Sequence, residues 1–275
     1  MTAAEALASA AAKLRAAGVA DPARDARVLL AHAAKIDAAR VTLIAPEDLA
    51  PDIEERFEKL ISLRAVRVPV SQLVGERAFY GRAFKVTSDV LDPRPETETL
   101  VEAALANPFA SVLDLGIGSG CVLVTLLAER PHSVGVGVDI SEAACLQASA
   151  NAVMHKVDRR ADIRQSDWFG AVSETFDLIV SNPPYLSGDE YQNAQRELRD
   201  HEPEIALTDR LDGLEAYRQI AEGVERHLEP GGRVLVEIGW TQAEDVKRIF
   251  KAQGATQIRV LNDLDGRDRV VSVQY

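Results

Sequence analysis

Apolar positions recur at helical spacing through the first 68 residues and then give way to short apolar runs that alternate with helical segments. Leu7, Ala11 and Leu14 predict one apolar stripe, stopped at Gly18. Asp21-Pro22 is the pattern of a helix start, and the helix that follows carries Ala26, Leu29, Leu30 and Ala33 on one face. Pro51 opens a third helix with Ile53, Phe57, Leu60 and Ile61, and Pro69 closes it. Residues 1–69 are therefore expected to form a small helical bundle, and none of its residues suggests catalysis.

Residues 70–92 change character. Ala78-Phe79-Tyr80, Gly81-Arg82 and Ala83–Val86 predict a β-hairpin linker with its turn at Gly81-Arg82. The prolines of Pro93-Arg94-Pro95 exclude helix before Pro95 and favour one starting there, with Glu96 and Glu98 in its first turn and Leu100, Val101, Ala104 and Leu105 on its buried face. From residue 111 strand and helix alternate. Strands are expected at Val112–Leu115, Val134–Val138, Ile163–Gln165, Leu178–Ser181 and Val234–Ile238, the last after a turn at Gly231-Gly232. Helices are expected at Val122–Glu129, from Ser141 to Met154, at Gly213–Leu228 and at Ala243–Ala252. Ile258–Leu261 and Val270–Val273 read as a closing antiparallel pair. Such alternation implies an α/β domain, residues 93–275, with a largely parallel sheet covered on both faces. Leu186–Asp212 is the longest irregular stretch, and a loop of that length in a compact domain is usually functional.

Composition narrows the partners rather than the fold. The 275 residues carry a net charge of −12, which disfavours a nucleic-acid surface. Two cysteines, Cys121 and Cys145, have neither a disulfide framework nor zinc-ligand spacing, so no metal is expected. No apolar run approaches the roughly 20 residues of a membrane helix, and the alanine-rich start lacks the layout of a signal segment. A cytoplasmic protein without membrane contact is expected, and nothing demands more than a monomer.

Two stretches carry chemistry. Asp114-Leu115-Gly116-Ile117-Gly118-Ser119-Gly120 joins the first strand of the sheet to its helix, where glycines let a ligand approach the backbone at the helix start. Asp139 ends the next strand, where an acid can accept hydrogen bonds from ribose hydroxyls, so the pair indicates a nucleoside-containing cofactor. Position 121 is cysteine, so the G-x-G-x-x-G of a dinucleotide fold is incomplete. The second stretch is Ser181-Asn182-Pro183-Pro184-Tyr185 at the end of the fourth strand, where open α/β sheets place their ligands.

The acid followed by G-x-G-x-G resembles the S-adenosylmethionine (SAM) methyltransferases, and Asn182-Pro183-Pro184-Tyr185 resembles the signature of those that methylate nitrogen. With Pro93-Arg94-Pro95-Glu96-Thr97-Glu98, Asp167-Trp168-Phe169 and His201-Glu202-Pro203, nearly the whole chain is similar to the protein-(glutamine-N5) methyltransferases of the HemK/PrmC family. Asp92 departs from it, standing where the family usually has an apolar residue. The resemblance implies a Rossmann-like SAM-dependent methyltransferase sheet, parallel with a C-terminal antiparallel hairpin, preceded by a helical domain that recognises substrate. It implies SAM as cofactor and, as substrate, the glutamine of the Gly-Gly-Gln motif in class-1 peptide chain release factors. Gly116, Ile117, Gly118, Ser119, Gly120, Asp139, Trp168 and Asn182 are then expected to bind the cofactor, Trp168 against the adenine. Glu96 and Thr97 are implied near its methionine end. Asp114 either orients the methionine amino group or braces the glycine turn, and Asp167 either reaches the adenine or caps its own turn. His201 is the one histidine suspected of substrate contact.

An amide nitrogen is a poor nucleophile, whereas the methyl of a sulfonium is already activated. The enzyme must align nitrogen, methyl and sulfur and accept hydrogen bonds from the NH2 group. The Asn182 side-chain oxygen and the Pro183 carbonyl are suited to that, Pro184 stiffens the turn, and Tyr185 can pack on the flat amide. Asn182, Pro183 and Tyr185 are the expected catalytic residues and, with Pro184, the expected substrate contacts. Three alternatives stay open: methylation of a glutamine in a ribosomal large-subunit protein, methylation of exocyclic amines of adenine or cytosine in nucleic acid, and a non-catalytic SAM-binding module. The acidic balance weighs against nucleic acid, and intact Asn182 and Tyr185 weigh against the module.

Overall fold

The computed structural model describes residues 1–275. It divides into two compact units, Met1–Glu76 with Gln195–His201, and Arg77–Ala194 with Glu202–Tyr275.

The first unit is helical. Helix α1 (Ala3–Ala16) starts at Thr2, whose hydroxyl and Glu5 close a capping box. Its buried stripe is Ala3, Ala6, Ala10 and Leu14, with Leu7 and Ala11 only half-buried at its edge, so the stripe is turned from the expected one. Small alanines at its centre let the helices approach closely. Helix α2 (Pro22–Ala34) begins at the expected place, but Asp21 makes no side-chain cap bond there. Helix α3 (Pro51–Ala65) buries Phe57 and Ile61. Pro69 ends α3's chain segment without ending helical structure, because α4 (Val70–Val74) follows and stops at Gly75.

The second unit opens with a hairpin, β1 (Glu76–Phe79) and β2 (Arg82–Lys85), whose first residue still counts with the bundle. Its turn is Tyr80-Gly81, one residue earlier than expected, and both residues have positive φ, as a two-residue hairpin turn requires. A single 3-10 turn at Pro95–Thr97 leads into α5 (Glu98–Leu105). Then follow β3 (Ser111–Leu115), α6 (Cys121–Glu129), β4 (Val134–Asp139), α7 (Glu142–Met154), β5 (Ala161–Gln165) and β6 (Phe176–Ser181). The stretch expected to be irregular contains two short helices, α8 (Gly188–Asn193) and α9 (Arg196–His201), and a 3-10 turn at Glu204–Ala206. The signal for α8 was local: Ser187 and Glu190 form a capping box. The chain ends with α10 (Glu215–His227), β7 (Leu228–Glu237), α11 (Ala243–Ala252), β8 (Gln257–Asn262) and β9 (Asp268–Gln274).

Gly231-Gly232 does not precede the strand as expected but lies inside β7. Pairing with β6 jumps from Phe176–Leu228 to Leu178–Arg233, so the glycines form a bulge that keeps both ends of β7 in the sheet.

The sheet has seven strands in the order β5-β4-β3-β6-β7-β9-β8, parallel except for β9, which runs antiparallel to both neighbours. One face is covered by α5, α6 and α7 around Leu100, Leu123 and Leu126. The other is covered by α10 and α11 around Tyr217, Ile220 and Phe250. Strand order reverses between β3 and β6, and a doubly wound sheet offers its ligand crevice at that switch point, beyond the carboxyl ends of the strands.

In the helical unit, Arg64 is 7% exposed and holds Asp25 at 2.7 Å and Glu197 of α9 at 3.1 Å. Gln72 donates to the His201 carbonyl at 2.8 Å, and the His201 ring meets the Val66 carbonyl at 3.1 Å. These bonds place α9 with the bundle and engage one ring nitrogen of His201, the histidine suspected of substrate contact.

Candidate active site

The carboxyl ends of β3, β4, β5 and β6 surround one cavity, closed on its remaining sides by Leu91, Asp92, Pro93, Arg94 and Thr97 and by Ile205 and Ala206. On β3, the glycine turn is pinned from below. Gly116 and Ile117 both donate to the Val138 carbonyl at 2.9 Å, and Asn151 donates to the Ser119 carbonyl at 2.8 Å. Gly116 and Gly118 have φ of 75° and 52°, and a Cβ at either would meet nothing within 4 Å. The turn is thus a cradle held open toward the cavity. Gly120 differs. A Cβ there would lie 3.1 Å from Ala148 Cβ, so this glycine serves the packing of α6 on α7 and stands outside the cavity wall.

Asp139 at the end of β4 spans two loops. Its Oδ2 accepts from Gly118 N and its Oδ1 from Ser141 N, each at 2.9 Å. Burial raises its pKa against those amide bonds. Each carboxylate oxygen keeps a second lone pair free, and Asp139 lines the cavity. Asp114, 2% exposed, gives one oxygen to the Leu123 amide at 3.1 Å and so braces the start of α6. It also lines the cavity and has no basic partner. Burial, with the Asp139 charge adding, pushes its pKa up to about 8.

Ile140, exposed, and Trp168, half-buried, form apolar wall on the β4–β5 side. Trp168 holds an unusual φ of 44°, fixed by Ser166, whose hydroxyl donates to the Trp168 carbonyl at 2.9 Å and accepts from Ala171 N at 2.8 Å. Asp167 is exposed beside it and caps nothing through its side chain, although its carbonyl accepts from Gly170 N.

The Asn182 turn is locked to the glycine side by Ser181, whose hydroxyl donates to the Leu115 carbonyl at 2.7 Å. Asn182 and Pro184 line the cavity, Pro183 is buried behind them, and Tyr185 packs half-buried against the β7 side of the core. Gln242 supports the turn, donating to the Tyr185 carbonyl at 2.9 Å. Burial pushes the Tyr185 phenol up to about 12, so it stays neutral. Asn182 Nδ2 donates to Thr97 Oγ1 at 3.0 Å, which joins the Pro93–Glu98 segment to the β6 turn.

Of the expected site residues, Gly116, Ile117, Gly118, Ser119, Asp139, Trp168, Asn182 and Pro184 share this cavity, and Gly120, Pro183 and Tyr185 stand behind its wall. Sequence reasoning missed Ile140, Ser166, Ile205 and Ala206 in the wall, and Glu237 behind it. The signal for Glu237 was present. It is the one acid in the apolar run Val234–Ile238, at a strand end like Asp114 and Asp139.

The donor set suits a nucleoside with a cationic tail: an open glycine cradle, paired lone pairs on Asp139 for ribose hydroxyls, apolar wall for a flat base, and unpartnered Asp114 for an ammonium. This sheet order with this site defines a methyltransferase. Known proteins agree at finer grain. Residues 5–75 match the model of the PrmC N-terminal domain and residues 88–202 that of the methyltransferase small domain. A release factor glutamine methyltransferase of Cereibacter sphaeroides is 55% identical over 274 residues, covering 100% of this chain and 99% of its own. One of Caulobacter vibrioides is 39% identical, with 94% and 91% covered. The chain belongs to the release factor glutamine methyltransferase family. Among solved structures, a methyltransferase from Pyrococcus furiosus superposes with a TM-score of 0.55 at 15% identity, over 71% of this chain and 90% of that one, a likeness of fold alone.

Proposed function

We propose that this enzyme transfers a methyl group from SAM to the side-chain nitrogen of the glutamine in the Gly-Gly-Gln motif of class-1 peptide chain release factors. The observation that carries the reading is the amide of Asn182. It stands at the cavity wall with its NH2 engaged by Thr97, which leaves Oδ1 as a free acceptor beside the glycine cradle. Family membership supplies the substrate, through relatives named for it.

In this reading SAM supplies an activated methyl on a positively charged sulfur. Gly116 and Gly118 admit it, Asp139 holds its ribose hydroxyls, Trp168 and Ile140 flank its base, and Asp114 balances its ammonium. Asn182 Oδ1 and the Pro183 carbonyl accept hydrogen bonds from the glutamine NH2 and turn its nitrogen toward the methyl. The same oxygens stabilise the positive charge that the nitrogen gains on transfer. Pro183 and Pro184 keep the acceptors rigid, and Tyr185 supports the turn from behind. The proton leaves to water, and no general base is required. The helical unit recognises the protein substrate, and the enzyme acts in the cytoplasm as a monomer.

The test is transfer of labelled methyl from SAM to purified full-length release factor, beside the same factor with its Gly-Gly-Gln glutamine changed to alanine. Label on the first alone is expected. Label on neither, with SAM bound, overturns the substrate.

A further inference from the structure

The oxygen and nitrogen of an asparagine amide have nearly the same shape, so which one faces a substrate depends on what engages the other. At Asn182 the neighbours decide it. Asn182 Nδ2 donates to Thr97 Oγ1 at 3.0 Å, and Thr97, 2% exposed, also faces the Glu237 carboxyl, whose ionised form it favours as a hydrogen-bond donor. A hydroxyl has one hydrogen, and an ionised carboxyl has none. The Thr97 hydrogen must therefore point at ionised Glu237. Thr97 can then only accept from Asn182, and Asn182 must present NH2 to it and keep Oδ1 free.

Glu237 is otherwise hard to explain. It ends β7 after buried Val234, Leu235 and Val236, is itself 1% exposed, and its Oε2 has no hydrogen-bond partner. Leaving a buried carboxyl oxygen unmet is destabilising, and the strand's backbone needs no acid there: the Glu237 carbonyl is already satisfied by Tyr217, whose hydroxyl donates to it at 2.9 Å. We propose that Glu237, acting through Thr97, is the positioning residue that keeps the Asn182 oxygen turned toward the substrate nitrogen. The proposal rests on the reading that Asn182 accepts from the glutamine amide.

A pH dependence follows. Burial raises the Glu237 pKa to about 7. Facing it are Thr97 and Glu96 ahead of α5, Arg94 before them and Arg269 of β9, the arginines favouring its charge and Glu96 opposing it. Cys121 of α6, Tyr185 and Tyr217 of α10 also face it, and burial raises all three, so they stay neutral. Once Glu237 gains a proton it can donate to Thr97. The Thr97 hydrogen is then released toward Asn182, and the amide is free to turn its oxygen inward. Transfer should fall on the acid side.

The experiment compares the full-length wild type, Thr97→Val, Thr97→Ser and Glu237→Gln on full-length release factor, with SAM affinity measured by calorimetry. Thr97→Val should lower kcat about 10- to 100-fold, the scale of a misplaced reacting group. Its Kd for SAM should stay within about twofold, and Thr97→Ser should recover most of the rate. Glu237→Gln offers a donor at every pH, as the protonated carboxyl does. Its kcat should be low and flat and should meet the wild type at acid pH. SAM affinity reports folding for each variant, and Glu237→Gln, nearly isosteric, carries the test if Thr97→Val does not fold. A Thr97→Val kcat equal to wild type, or an unchanged acid limb in Glu237→Gln, overturns the inference alone. A wild type that does not methylate the release factor overturns the reading beneath it, and the inference with it.

Discussion

Arg94 donates to both carboxylate oxygens of Glu202, at 2.7 and 2.5 Å, across 108 residues of chain. The pair ties the cavity wall at Pro93–Thr97 to the segment that follows the Asn182 turn. Glu202's side chain is 2% exposed and Arg94's 30%. Burial raises the Glu202 pKa, Arg94 opposes the rise, and buried Asp92 adds to it. Arg94→Ala would strand a buried carboxyl beside a second one. Removing one partner of a fully buried pair costs about 3–5 kcal/mol, and the part-exposed arginine puts this case at or below that range. Urea unfolding should show a lower midpoint for Arg94→Ala and a smaller loss for Arg94→Lys. Equal midpoints in all three would show that the pair does not hold the segment.

Asn182→Ala removes the free acceptor without touching the glycine cradle. Turnover should fall about 100-fold or more, the scale for one lost transition-state hydrogen bond, while SAM affinity changes little. Asp139→Ala should do the reverse. It removes the expected ribose acceptor and frees the Gly118 and Ser141 amides. SAM binding should weaken about 10- to 100-fold, the equivalent of roughly 1.5–3 kcal/mol for a hydrogen bond to a charged group. Calorimetry on the two variants separates the roles, and unchanged turnover in Asn182→Ala would remove that residue from the mechanism.

The doubly wound sheet was legible because its central strands β3, β6 and β7 carry short apolar runs bounded by turn residues, and the cradle because glycines and strand-end acids mark it. What sequence reasoning missed belongs to the third dimension. Gly231-Gly232 looks like a turn, yet the bulge it forms is visible only against β6. Gly120 looks like its neighbours, yet Ala148 on another helix sets its role. Glu237 looked like the end of a strand, because Thr97, the residue through which it is proposed to act, lies 140 positions away.

If Asp114 balances the SAM ammonium as proposed, cofactor binding is a proton-linked event. Its pKa of about 8 means that the free protein holds it largely protonated at pH 7. A bound ammonium favours the carboxylate, lowers that pKa and expels the proton. Affinity for SAM should therefore rise as pH increases from 6 toward 8, and fall again once the amino group of SAM loses its own proton. The sign for folding is opposite: a raised native pKa means that the native state binds the proton more tightly. The stabilisation that this proton gives at low pH is lost as pH rises through about 8. Calorimetric titration of SAM at pH 7 in two buffers of different ionisation enthalpy measures the release directly. Wild type should give apparent enthalpies that differ between buffers, and Asp114→Asn should bring them together. Identical wild-type enthalpies would mean that Asp114 enters the complex in the protonation state it already had, and its part would then be limited to bracing α6 through the Leu123 amide.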